Sequence, residues 1–403
     1  MTTFILVAIF LVLTYFPIFL FLPGINFMDE LLTIVLAMYM YAVLLLDIRI
    51  LKKRLDRWTK VSLILLLVFF LIGLIPTVLF KIQHSTSIII KDLMLFSKFF
   101  ICYAGGMAVF DNVDKQRALK LIGQIIKVSI VIIFFFGILS IFVNLNMGSS
   151  IRYGIRSYQF LFPHYTYLVY SIVIMLSILT IAEEANYSYK LMAVGILILT
   201  LRSKAFVFVG FYFFLNGFIK YFDRLKLKHL LIAILFSAGM VKSKIADYLS
   251  WGIYNLRTGL YIVGFSIAND YFPFGTGYGT YGSNLSKKAG SPIYVAYDLI
   301  YSQGFRKGTG DFPLSDVFWP YIIGQWGYIG ALCFLGLLAT IYLSICQRTK
   351  FMHKKYYIAS LLLFFYLLIA SSAEAIFTNE TGVYIITLLS IFLGETRNKK
   401  GKF

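Results

Sequence analysis

The sequence predicts an all-α polytopic membrane protein, and three observations carry that expectation. The chain of 403 residues is 60% hydrophobic. Only 14% of it is charged, against about 25% in an ordinary soluble domain. Its apolar residues arrive as runs long enough to cross a bilayer, about twelve of them. A soluble core of this size would need a polar surface that the sequence does not supply, whereas hydrocarbon accepts apolar helix faces on every side. Residues 1–403 are therefore expected to form a single integral membrane domain.

Taken in order, the runs fall at 3–22, 31–48, 61–80, 93–110, 126–145, 164–182, 189–201, 205–219, 229–241, 316–346, 357–374 and 382–394. The first has neither a basic lead nor a small-residue cleavage site, so it is read as a retained helix. The seventh, eighth, ninth and twelfth are short, and the tenth is long enough to begin outside the bilayer or to tilt. The longest polar stretch, 241–315, joins the ninth and tenth spans. It is expected to be one large water-exposed outer loop carrying much of any active site.

The formal charge of +19 raises nucleic acid as a partner, but its distribution argues against one. Basic residues cluster at Arg49 to Lys60, Lys115 to Lys127, Lys220 to Lys228, Arg348 to Lys355 and Arg397 to Lys402, in alternate connections or at the C-terminus. Such clusters are orientation signals that favour the cytoplasm. With twelve spans, both termini are expected there and the 241–315 loop outside. Cys102, Cys333 and Cys346 lie in apolar stretches without paired spacing, which points to neither a zinc site nor a disulfide framework. No metal and no cofactor is expected.

Cations on the outer side run against the orientation bias and ask for a functional reason. Arg202 and Lys204 sit between two short apolar runs, where a guanidinium near hydrocarbon needs an anion or a watery cavity; snorkelling to the interface is the alternative. Arg152 and Arg156 would project together if their stretch were helical and would clamp a phosphate bidentately; two solvated loop arginines are the other reading. Arg257 precedes Gly275, Gly277 and Gly279, whose spacing lets a ligand approach the main chain or simply makes a flexible turn. Asp311 and Asp316 stand at the mouth of the tenth span. A carboxylate there serves as a general base or as a helix cap. Tyr261, Tyr271, Tyr278, Tyr281, Tyr294, Tyr297 and Tyr301 offer faces to sugar rings, or form an interfacial aromatic belt.

Three local patterns in this order resemble the O-antigen polymerase and ligase superfamily, the Wzy/WaaL-like membrane glycosyltransferases. Leu199-Thr200-Leu201-Arg202-Ser203-Lys204-Ala205 is similar to a turn of that family, with Arg and Ser reversed. Arg257 with Asn269 to Gly279 resembles its arginine, proline and glycine-rich loop. Asp316 to Gly330 resembles the segment that opens with His-Asn in many members, Asp316 standing where ligases and many polymerases have histidine.

The resemblance implies a glycosyltransferase C type fold and a polymerase of undecaprenyl-pyrophosphate-linked oligosaccharide repeat units. It would act at the outer face of a bacterial inner membrane and build O-antigen, capsule or exopolysaccharide. In that reading Arg257 and Arg202 stabilise the leaving pyrophosphate and Asp316 orients or deprotonates the acceptor hydroxyl. Arg152, Arg156, Lys204, Tyr261 and Tyr278 bind substrate. Membrane lipid and a chain-length regulator protein are the further partners expected. Two alternatives stand beside it: an O-antigen ligase, which the missing histidine disfavours, and a lipid-linked oligosaccharide flippase. The long loop and the lack of paired interrupted helices in the two halves disfavour the flippase.

Overall fold

The computed structural model describes residues 2–111, 113–148, 150–182, 187–221, 224–225, 252–302, 305 and 317–394. Among these residues the regular secondary structure is helical apart from one two-stranded hairpin. The helices are α1 (Thr2–Tyr15), α2 (Met28–Leu46), α3 (Ile48–Arg54), α4 (Arg57–Phe80), α5 (Thr86–Phe110) and α6 (Gln116–Phe142). The hairpin β1 (Ile151–Arg152) and β2 (Ile155–Arg156) follows. Beyond it come α7 (Tyr165–Ala182), α8 (Tyr187–Leu199), α9 (Ser203–Tyr221), α10 (Leu256–Asp270), α11 (Asn284–Lys288), α12 (Ile293–Ala296), α13 (Trp319–Arg348), α14 (Lys354–Ala370) and α15 (Glu380–Leu393). Each expected apolar run within the described residues is helical. The run at 229–241 lies outside them.

Among the described residues six helices are long and apolar enough to cross a membrane: α2, α4, α5, α6, α7 and α13 with the turn that extends it. The chain is thus an all-α membrane protein. Their two environments differ. α7 is buried from Leu168 to Ile181 and α15 from Thr381 to Leu393, so both lie inside the bundle. On α2, α4, α6 and α13, Met38, Ile64, Val128 and Leu332 are each more than 60% exposed, an apolar exterior that suits hydrocarbon and not water.

Starts and stops follow local chemistry. Asp56 caps α4 by accepting from the amides of Trp58 and Thr59 at 2.9 and 3.1 Å, and Asn255 caps α10 through Arg257 and Thr258. The short connections reverse the chain at each end, giving the bundle a hairpin end and an opposite, basic end. At the basic end Arg348, 5% exposed, pairs with Asp56 at 3.2 Å and Asp111 at 2.7 Å, tying the ends of α13 and α5 to the start of α4.

The described part of the 241–315 segment is folded. With Val317 it packs a second apolar cluster of Leu260, Val263, Ile267, Tyr281, Ile293, Tyr294 and Leu299. Its glycine-rich turn is inserted into a break in α13, where Gly327 takes φ 61° and ψ −164°, a conformation open essentially to glycine alone. The interruption frees the carbonyls of Gly324 and Gln325. The amides of Thr276 and Gly277 donate to them at 3.0 and 2.9 Å, so the loop satisfies these two carbonyls in place of the missing helical bonds.

Candidate functional site

Arg152, Arg202 and Arg257 come together at the hairpin end from three elements far apart in sequence. The hairpin turns on Tyr153 and Gly154, both with positive φ, as a two-residue turn requires. Its exit strand is fastened to the turn between α8 and α9, where the Tyr158 amide donates to the Leu199 carbonyl at 3.0 Å. Tyr165, at the start of α7, joins the two pieces. Its hydroxyl accepts from the Ser150 amide at 2.8 Å, and its ring lies 4.0 Å from the Arg202 guanidinium, a cation–π contact.

Burial lowers the pKa of Arg202 below the usual guanidinium value. Arg152 and, further down in order, Arg257 lower it again by adding positive charge nearby, while Tyr165 acts the other way. Arg202 Nε is buried without a hydrogen-bond partner. Nη1 of Arg152 lies 3.5 Å from the Leu201 carbonyl. Arg257 occupies the first turn of α10, where helix amides add to the positive potential. Among the described residues neither Arg152 nor Arg202 has a carboxylate within ion-pair distance. Like charges gathered this way repel one another, and a bound polyanion relieves that repulsion.

Other residues singled out in the sequence are placed differently. Arg156 does not clamp a ligand jointly with Arg152. Strand alternation sends neighbouring side chains to opposite faces, and the register pairs Arg152 with Ile155 and Arg156 with Ile151. Arg156 is exposed and donates to Asn144. Lys204 is buried and paired with Glu374 at 2.9 Å, so its charge is answered from within the protein. Tyr278 is fully buried; its hydroxyl donates to the Phe70 carbonyl at 2.9 Å. Tyr281 and Tyr294 are likewise buried, and Tyr261 is half-buried on α10. Asp311 and Asp316 lie outside the described residues.

The glycines are held by the chain itself. A Cβ on Gly277, at φ +87°, would stand 2.4 Å from Thr77 Oγ1, and one on Gly275 would meet the Gly324 carbonyl at 2.5 Å. Close approach is needed, as their spacing suggested, but to α4 and α13. Two groups of ionisable residues were not anticipated from sequence. Asp92, with no exposed surface, accepts from the Gly279 amide at 2.8 Å and from the Tyr321 hydroxyl. Lys98 pairs with Asp29 at 2.5 Å and Glu30 at 2.8 Å between α5 and α2. The signal was available: a charged residue within or beside an apolar run.

No family model matches this chain, and no curated protein matches its sequence.

Proposed function

We propose that this chain is a membrane glycosyltransferase that polymerises oligosaccharide repeat units carried on undecaprenyl pyrophosphate. The observation that supports it best is the convergence of Arg152, Arg202 and Arg257 at one end of an apolar bundle. A pyrophosphate leaving group develops negative charge as the sugar departs, and preorganised cations in a poorly solvated place stabilise that charge. In this reading the hydroxyl oxygen of the incoming unit attacks the anomeric carbon of the growing chain. The bond from that carbon to the phosphate oxygen breaks, undecaprenyl pyrophosphate leaves against the arginines, and the hydroxyl proton passes to Asp316.

The frame proposed is of the glycosyltransferase C type with twelve spans. Helices α1, α2, α4 to α9 and α13 to α15 supply eleven, and the run at 229–241 supplies the other. The basic end then faces the cytoplasm of a bacterial cell, following the bias of Lys and Arg, and the arginine site faces outward.

The test is a polysaccharide-producing cell carrying Arg257→Ala. Chain extension is expected to fall by about 10²–10³, leaving single repeat units on the surface lipid, and Arg257→Lys restores little because a point charge does not replace a planar fork. Normal long-chain polymer in the Arg257→Ala strain would defeat the assignment. Deleting the chain separates the remaining activities: polymer that persists unattached marks a ligase, and units that stall inside mark a flippase.

A further inference from the structure

The basic end of the bundle holds a cavity of about 510 Å³ between the start of α6, the end of α7 and the start of α14. Its rim carries Arg117, Lys120 and Lys355, and its floor is Leu119, Ile181 and Tyr356. The rim side chains are exposed or half-buried, whereas the three floor residues are at most 3% exposed. Arg117 and Lys120 are three apart on α6 and so share a face. Lys355 joins them from a separate basic cluster far along the chain. Orientation signalling explains why each cluster is basic, but it does not require two clusters to meet over one apolar floor.

We propose that this cavity binds the phosphate headgroup of an anionic membrane phospholipid. The three cations face the phosphate and the floor receives the first carbons of an acyl chain. Several observations support this. Among the described residues Arg117, Lys120 and Lys355 have no carboxylate within ion-pair distance. The first turns of α6 and α14 both line the cavity; Asp114 already accepts the Gln116 amide at 3.0 Å, and the remaining positive end of each helix favours an anion. α6 and α7 are of membrane-crossing length, so their ends fall at the depth of lipid headgroups, where basic pockets between helices take anionic lipid. A soluble phosphate would satisfy the rim equally well but would leave the apolar floor unused. Glu183 and Glu184 follow Ala182 directly and lie outside the described residues. The inference stands apart from the polymerase reading and from which end faces the cytoplasm.

The experiment uses the full chain in nanodiscs of phosphatidylcholine with and without phosphatidylglycerol, with retained lipid counted by native mass spectrometry. Arg117→Gln/Lys120→Gln/Lys355→Gln is compared with Arg49→Gln/Lys52→Gln/Lys53→Gln, which removes equal charge from exposed positions of α3 at the same end. Retained phosphatidylglycerol is expected to fall by about tenfold or more in the first variant and to hold in the second. Single exposed changes, Arg117→Gln and Lys120→Gln, repeat the measurement if the triple variant melts early. Equal loss in both triples would mean a diffuse field and would overturn the site, as would no loss in the first. A wild type without preference for phosphatidylglycerol, as when Glu183 or Glu184 answers the rim, also overturns it. Inorganic phosphate bound by the wild type in phosphatidylcholine alone, and lost in the first variant, would reassign the cavity to a soluble anion.

Discussion

Arg202 was conspicuous in the sequence because a guanidinium between apolar runs has few ways to be satisfied. Arg152 and Arg257 stood out separately, but nothing in the spacing of residues 152, 202 and 257 says that three elements converge. Arg156 was grouped with Arg152 because positions i and i+4 meet on a helix; on a two-residue hairpin turn the same spacing separates them. Lys204 carries the clearest test at this scale. Removing one member of a buried pair leaves the other uncompensated and costs about 3–5 kcal/mol. Lys204→Met and Glu374→Gln should therefore each lower the melting temperature in detergent, and the double variant should recover most of the loss. A double variant that melts like the wild type yet makes no polymer would return Lys204 to substrate binding.

Among elements, the apolar runs were the most legible part of the chain, because hydrocarbon thickness fixes their length and little else competes. The 241–315 segment was the least legible. Its glycines, its tyrosines and the Gly324–Gly330 stretch of α13 stood out separately, yet their meaning lies in their contact with one another. Gly277→Ala should show this. The left-handed backbone alone costs an alanine about 1–3 kcal/mol, and its Cβ would strike Thr77 at 2.4 Å. A lowered melting temperature is expected even where Arg257, Arg202 and Arg152 are intact; an unchanged one would show that the turn yields freely.

For the whole molecule, alternating basic clusters allowed the two ends of the bundle to be distinguished, but not the burial of α7 and α15 or the network around Arg348. Both depend on packing, which a sequence of near-uniform hydrophobicity does not encode in its periodicity. Arg348→Met would remove the cation paired with Asp56, whose side chain is 1% exposed, and with Asp111. A cost of about 3–5 kcal/mol is expected, read as early thermal aggregation, while stability equal to the wild type would reduce the network to a surface ornament. The break at Gly327 bears on how the molecule is made. The turn that completes α13 leaves the ribosome before α13 does, so the donors that the Gly324 and Gln325 carbonyls need are already made when α13 follows. A chain halted ahead of Trp319 would hold the amides of Thr276 and Gly277 without the two carbonyls they pair with here.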